Sequence, residues 1–274
     1  DDIVAAWREI PRNKPFKSPE RISDMESYEA IAALIKATRA VSTKPVSLKF
    51  GVGDPKDLLD FMTFLRDADA LPDHLQIDGR GDDFSPGSGN APPGANTSLP
   101  ANEAVIVMDA VLKKLGVRDR VFIDAGGDVM SPADAVEKLA LGADGVSAAR
   151  AWMGMGLGCS KVKACANGNC PYGIASRGDS LVGLGLDPEK IGPKGYAAAA
   201  NWHKSFVQTL VETGLSDWRR ARGTLGLGTG SATIRIKDGA KTVPLDRFYS
   251  PEYVADLLRG ALTPAEVNRL VFGR

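Results

Sequence analysis

Hydrophobic residues in the first part of the chain alternate between helical and strand spacings. Apolar positions three and four residues apart predict a helix over about residues 25–40, begun by Ser23 or Asp24. A β-branched run predicts a strand at residues 46–50, and Asp54 followed by Pro55 is typical of a helix start. The same order continues with strands predicted at residues 74–78, 121–124 and 145–148, and helices at residues 55–68, 101–115 and 132–141.

This succession of strand, short loop, helix and strand is the signature of parallel βα units. The predicted strands are largely apolar, which favours a sheet buried on both faces. We therefore predict an α/β fold, with a (β/α)8 TIM barrel as the leading candidate and its chemistry in the loops after the strands. Residues 79–100 form a glycine-rich connection whose length is typical of a functional loop.

The pattern changes after about residue 177. Residues 178–222 are predicted to be a helical closing segment, with a loop at residues 183–195 and a long helix at residues 196–214. Residues 223–274 are predicted to be an appended C-terminal arm. It contains a hairpin of residues 233–236 and 241–243 with a type I′ turn, followed by short helices. We expect this arm to pack on a partner.

Charge and hydropathy narrow the classes of function. The chain has 34 basic and 34 acidic residues, so neither nucleic acid nor an anionic membrane is an implied partner. Its apolar runs are much shorter than the ~20 residues that a membrane-spanning helix needs. Membrane insertion is therefore not expected, and the expected location is the cytoplasm.

The three cysteines of the chain, Cys159, Cys165 and Cys170, lie in the stretch GCSKVKACANGNCPYGIA with C-x5-C-x4-C spacing. Thiolates in a short loop rich in glycine and asparagine are typical of iron–sulfur ligation, and three of them suggest a [3Fe–4S] cluster. A structural zinc site completed by His74 or His203 is an alternative, as are three inert buried thiols. The odd number of cysteines disfavours a disulfide framework.

Other polar residues stand where a barrel keeps its chemistry. Lys49 interrupts an apolar strand, so it either points into the barrel mouth near the electron-rich end of a flavin or reaches solvent. Asp78 and Asp124 close apolar strands and would line the same mouth. A phosphate site is possible where two later strands end, at Gly126 and Gly127 and at residues 147–150; the alternative is that the paired glycines only make a tight turn.

Taken together, these stretches resemble the FMN-binding central domain of glutamate synthases. The matching text is IVAAWREIPRNKPFKSPERIS, KPVSLKFGVGDP, HLQIDG, GVRDRVFIDAGGDVMSPADAVEKLALGADGVSAARAWMGMGLGCS and CANGNCPYGIAS. The resemblance covers about residues 3–177 and implies a flavin barrel with a [3Fe–4S] cluster. It also implies reductive amination of 2-oxoglutarate with ammonia, with electrons passed from the cluster to FMN.

The resemblance also implies roles for individual residues. Cys159, Cys165 and Cys170 are similar to the cluster ligands, and Lys49 and Asp78 are assigned as catalytic, with Lys49 beside the isoalloxazine. The residues assigned to FMN are Lys49, Gly79, Asp124, Gly126, Gly127, Asp128, Ala148, Ala149 and Arg150.

Two departures from the family pattern change the expectations. Residues 79–93 read GRGDDFSPGSGNAPP where the family has G-G-x-G-G-T-G-A-x-P, which would crowd or recharge the pocket and alter the substrate. The first barrel strands of the family have no counterpart here, so residues 1–177 are expected to be the C-terminal part of the barrel. We expect a second chain or a missing N-terminal half to complete it, because a half barrel exposes two sheet edges.

The leading hypothesis is therefore a flavin- and iron–sulfur-dependent oxidoreductase that acts on a small molecule. Its electron donor would be a ferredoxin or an NAD(P)H-oxidising subunit. An alternative is a non-catalytic, electron-transferring subunit that keeps the fold and cluster. A barrel like that of inosine-monophosphate dehydrogenase, with one nucleophilic cysteine, would leave the other two cysteines unexplained.

Overall fold

The computed structural model describes residues 5–6, 11, 23–79, 98–127, 129–157, 159, 188–213, 235–238 and 241–244. The helices are α1 (Tyr28–Val41), α2 (Pro55–Asp67), α3 (Ala101–Lys114), α4 (Pro132–Leu141), α5 (Arg150–Leu157) and α6 (Pro188–Glu212), with 3-10 turns at Ser23–Met25 and Arg118–Arg120. The strands are β1 (Ser47–Phe50), β2 (His74–Asp78), β3 (Phe122–Gly126), β4 (Gly145–Ser147), β5 (Arg235–Asp238) and β6 (Lys241–Pro244).

The first four strands form one parallel sheet in the order β1-β2-β3-β4. This confirms the prediction of consecutive parallel βα units. Among the described residues, β1 and β4 are the outer strands, so the sheet is open at both sides. The α/β class is therefore established, and the closed eight-stranded barrel stays a prediction. The antiparallel pair β5 and β6 confirms the predicted hairpin, and its turn lies outside the described residues.

Each of the first three strands buries one face only. Leu48, Leu75 and Ile123 are at most 8% exposed and contribute to the hydrophobic core. The opposite side, called the open face below, carries polar residues and the 41% exposed Phe122. The open face consists of Ser47, Lys49, His74, Gln76, Asp78, Phe122, Asp124, Gly126, Gly145 and Ser147. Alternate residues of a strand point to opposite faces, so the strands are apolar on the core face and mostly polar on the open face, which differs from the largely apolar strands expected.

Helix starts follow local capping chemistry, with one difference from the prediction. Helix α1 is capped by Ser27, whose side chain accepts a hydrogen bond from the Ala30 amide at 3.2 Å. Neither Ser23 nor Asp24 caps it, because Ser23–Met25 forms a separate 3-10 turn. The predicted start of α2 is confirmed, since Asp54 accepts from the Lys56 amide at 2.7 Å and Pro55 is the first helical residue. Such caps set the direction in which each helix leaves its strand.

Helix α6 begins at Pro188 and contains Pro193, so the predicted loop at residues 183–195 is wrong from residue 188 onward. Intrinsic propensity is a weak guide where packing holds a helix in place. Here Trp202 stacks on Phe206 within α6 and lies 5.1 Å, centroid to centroid, from Trp152 of α5. Leu210 is buried against α4. None of the helices in the described ranges is long and apolar enough to cross a membrane.

Candidate functional site

The carboxyl edge of the sheet brings Lys49 and Asp78 together. Lys49 Nζ lies 3.2 Å from Asp78 Oδ2, and the two side chains are 56% and 59% exposed. An ion pair this exposed adds little stability, so the lysine is not committed to a structural role. Ser98 lies at the same edge. Its Cβ is 3.2 Å from the position that a Cβ on Gly51 would occupy. The sequence analysis missed Ser98, because only the returning chain brings it beside β1.

A second polar group crosses the middle of the open face. Asp124 Oδ2 accepts hydrogen bonds from the Ser147 hydroxyl at 2.6 Å and from the Gln76 amide at 3.3 Å. The Gln76 amide also donates to Ser147 Oγ at 3.2 Å. Gln76 and Ser147 were not singled out from the sequence as candidates for this set. Their position along the strands could have identified them, because each is a polar residue that points to the same face of the sheet as Asp124.

The histidines occupy separate surroundings. The His74 ring nitrogen Nδ1 is 2.6 Å from Ser47 Oγ, and His74 Nε2 is 3.9 Å from Asp124 Oδ2. His203 lies on α6 beside Phe206, at a ring centroid distance of 6.3 Å. Within the described ranges, no three His, Cys, Asp or Glu side chains are grouped as a metal site. The zinc alternative therefore has no support from this part of the chain.

The glycines at the carboxyl edge allow three segments to approach closely. The Gly79 amide donates to the Gly126 carbonyl at 3.1 Å. Gly127 has a φ of +104°, and a Cβ there would lie 2.7 Å from the Gly79 carbonyl oxygen. A Cβ on Gly79 would meet the Cα of Ala101 at 2.3 Å. These contacts require a tight turn at the paired glycines, and a phosphate-binding role for the amides of this turn stays a prediction.

The junction of β4 and α5 has the features of a phosphate site. Ser147 ends β4, Ala148 and the exposed Ala149 follow, and α5 begins at Arg150. The Met153 amide donates to the Ala149 carbonyl at 3.2 Å, so the amides before Met153 lie in the first turn. First-turn amides have no partner within their helix and attract anions. This backbone therefore fits the phosphate of a nucleotide cofactor such as FMN.

The predicted cluster loop is described only at Cys159. Its thiol is free and half-buried, and its amide donates to the Met153 carbonyl at 3.1 Å, which fixes it at the end of α5. The other two predicted ligands, Cys165 and Cys170, lie outside the described residues, as do Asp128 and most of the altered loop at residues 79–93. The donor set suits iron–sulfur ligation, and the cluster itself stays a prediction.

Comparisons with known proteins identify relatives along most of the chain. A family model described as the conserved region in glutamate synthase matches residues 1–191. The archaeal glutamate synthase (NADPH) of Methanocaldococcus jannaschii is 30% identical over 225 residues, which are 80% of this chain and 42% of that protein. The glutamate synthase large subunit-like protein YerD of Bacillus subtilis is 30% identical over 178 residues, covering 65% of this chain and 33% of that protein.

The chain thus spans less than half of the length of these curated relatives. A solved flavocytochrome b2 variant with sulfite bound aligns with 72% of this chain and 38% of its own, at a TM-score of 0.42 and 14% identity. A likeness that distant supports no conclusion about function. The family model, by contrast, covers residues 1–191 of a 274-residue chain, and the chain therefore belongs to the glutamate synthase family.

Proposed function

We propose that this chain forms part of an FMN- and [3Fe–4S]-dependent oxidoreductase of the glutamate synthase type. The proposed reaction is the reductive amination of 2-oxoglutarate with ammonia. The observation that carries the proposal is the open face, whose carboxyl edge holds the exposed Lys49–Asp78 pair at 3.2 Å. Charged residues in this position suit a reaction centre at the mouth of a parallel barrel.

The residues at this edge fit FMN in two places. The ammonium group of Lys49 would lie beside the electron-rich end of the isoalloxazine, with Asp78 holding the lysine in position. The backbone around Gly126 and Gly127 and the first turn of α5 would hold the phosphate. FMN, once bound, supplies hydride and single-electron chemistry, while the protein supplies binding, orientation and charge.

The cluster would be held by Cys159, Cys165 and Cys170. Support comes from the free thiol of Cys159 and from its place at the end of α5. Helix α5 has eight residues and is therefore about 12 Å long. Its first turn would bind the flavin phosphate, and Cys159 follows its last turn. The same helix would thus connect the two cofactor sites.

Further strands from a partner chain, or from elsewhere in the same protein, would complete the barrel. Three observations on the described residues support this: β1 and β4 are open edges, Phe122 is exposed on the open face, and a cavity of 480 Å³ lies beside β1. Tyr28, Phe50 and Phe61 line this cavity. An uncovered sheet edge is prone to pair with another strand. An NAD(P)H-oxidising subunit or a ferredoxin would deliver the electrons.

The sequence change in residues 79–93 leaves room for a different substrate, so glutamate synthesis is the first activity to test. The protein should be purified anaerobically with whatever completes its barrel, and its flavin, iron and sulfide measured. We expect FMN and a [3Fe–4S] cluster, with NADPH or reduced-ferredoxin oxidation that depends on both 2-oxoglutarate and ammonium. A protein that holds both cofactors but lacks this activity would contradict the proposal and favour the electron-transferring subunit.

A further inference from the structure

A hydrogen-bonded set on the open face consists of Gln76, Asp124 and Ser147. Its donor groups all donate within the set, whereas some of its acceptor atoms remain available. The Gln76 amide nitrogen donates to Asp124 Oδ2 and to Ser147 Oγ, at 3.3 Å and 3.2 Å. The Ser147 hydroxyl donates to Asp124 Oδ2 at 2.6 Å. An amide nitrogen has two N–H groups and a hydroxyl has one, so all three donors are engaged. Gln76 Oε1, Asp124 Oδ1 and a lone pair of Ser147 remain as acceptors within the described part of the chain.

Among the described residues, the nearest cationic partner of Asp124 is His74, which is charged only when protonated. The Asp124 side chain is 14% exposed even with the open face uncovered, and His74 Nε2 lies 3.9 Å from Oδ2, beyond hydrogen-bonding distance. Lys49, which is on the same face, lies 3.2 Å from Asp78. A carboxylate at this depth is costly unless a cation or a further donor compensates it. The set therefore favours a positively charged or donor-rich ligand.

The space beside Asp124 is suited to something small. Gly145 is opposite Asp124 in the sheet register, and a Cβ there would lie 3.7 Å from Asp124 Oδ1. The same Cβ would be 2.9 Å from Cε1 of the Phe122 ring, so a side chain at this position would require the ring to shift. The phenyl ring therefore borders the region of the free carboxylate oxygen, and aromatic rings attract cations.

We propose that Asp124, Gln76 and Ser147 bind ammonium, the nitrogen donor of the proposed reaction. The inference rests on the proposed function for the role of this ligand and on the acceptor set for its chemistry. Ammonium carries only donors and one positive charge, which match the remaining acceptors and the negative charge of the carboxylate. A divalent metal would need more oxygen ligands and usually more than one carboxylate. We assign Asp124 to ammonium; the ribityl hydroxyls of FMN are the competing donors, and a response specific to ammonium in the test below separates the two.

Ligand-induced stabilisation provides a test that needs no turnover. The complete protein, with its cofactors and barrel partner, is melted in NH4Cl, KCl or NaCl at equal ionic strength. Wild type is expected to show a Tm that rises with ammonium beyond its response to the other salts. Asp124→Asn and Gln76→Met should weaken the apparent ammonium affinity at least about tenfold, since each removes an acceptor from a charged ligand. Asp60→Asn, in an exposed ion pair on α2, is the matched control and should respond as wild type does.

The outcomes separate this inference from the proposed function. An equal response to KCl, no ammonium-specific response, or an unchanged response in both variants would overturn the ammonium site. Should Asp124→Asn fail to fold, Gln76→Met decides, because it keeps the side chain's length and removes only polar atoms. Ammonium binding without 2-oxoglutarate-dependent activity would reject the proposed function and keep the site. Activity whose KM for ammonium is unchanged in both variants would reject the site and keep the function.

Discussion

The guanidinium of Arg118 donates to Asp144 Oδ2 at 2.8 Å, and the two side chains are only 7% and 6% exposed. Arg118 also donates to Asp109 Oδ1 at 2.7 Å and to the carbonyls of Val121 and Gly142. Asp144 in turn accepts from the Ile123 amide at 2.8 Å. This buried network connects α3, β3 and the loop between α4 and β4, and so fixes two strands whose ends form the candidate site.

Replacement of Arg118 should therefore be severely destabilising. We expect Arg118→Met to lower the free energy of unfolding by about 3–5 kcal/mol, because two buried carboxylates lose the guanidinium while the apolar bulk is kept. Lys113 still pairs with Asp109 at 2.6 Å, so the loss falls mainly on the contacts with Asp144. Urea denaturation followed by circular dichroism measures this. Lys56→Met, at an exposed ion pair with Asp60, is the control and should change stability little. A similar small loss in both variants would contradict the structural role of the network.

Glu137 should make stability fall as the pH rises. Burial raises the pKa of this carboxyl group, although Lys138 and Asn102 act in the opposite direction. A raised pKa in the folded state means that the stabilising contribution is complete below the ordinary glutamate pKa of about 4.3. That contribution is lost as the pH rises through the folded-state pKa. Glu137→Gln should thus be more stable than wild type at neutral pH and equal to it in acid.

The measurement is the unfolding midpoint between about pH 3 and pH 8, a range that extends below the ordinary carboxyl pKa of about 4. Glu29→Gln is the matched control, because backbone and Ser27 hydrogen bonds lower the pKa of Glu29 and should give the opposite trend. A Glu137→Gln variant that is less stable than wild type at neutral pH would refute the prediction.

Asp73 should contribute stability that acid removes. The Val46 amide donates to its carboxylate at 2.8 Å, and this bond, followed by Arg39 at 3.0 Å, lowers the pKa of Asp73. A lowered folded-state pKa gives stability that is present above the ordinary aspartate pKa of about 3.9 and is lost as the pH falls through the folded-state value. Asp73→Asn should cost about 1 kcal/mol at neutral pH, because Asp73 is half-exposed. The difference from wild type, measured by urea denaturation, should shrink in acid.

Lys49 should control the reduction potential of the flavin and have little effect on folding. Under the proposed function, Lys49→Met removes a positive charge beside the isoalloxazine, so the flavin reduction potential should become more negative and turnover should fall at least about tenfold. Lys44→Met, an exposed lysine at the other end of β1, is the control. Spectroelectrochemistry of the purified complex measures the potential. Equal potentials in both variants and wild type would remove Lys49 from the flavin site.

Cys159 should be needed for iron but not for FMN. Cys159→Ser would remove one of three predicted thiolate ligands, so we expect most of the iron and sulfide to be lost while FMN is retained. Met155→Leu, at an exposed position of α5, should keep both cofactors. Iron, sulfide and flavin analyses of anaerobically purified protein provide the measurement. Full iron content in Cys159→Ser would exclude this cysteine as a ligand.

The sequence by itself determined the order of strands and helices, because apolar periodicity and caps such as Asp54–Pro55 are local signals. Strand β2 was predicted at residues 74–78, where the structure has it. Local signals failed at α6, where a helix continues through Pro193 although a loop is predicted there.

Only the tertiary structure decided which polar residues of the open face contact one another. Gln76, Asp124 and Ser147 are distant in sequence, and the strand register alone brings them into hydrogen-bonding distance. Likewise, no sequence pattern shows that Lys49 lies 3.2 Å from Asp78. The physical reason is that side-chain periodicity gives each strand its two faces, whereas the contacts between strands depend on how parallel strands are aligned.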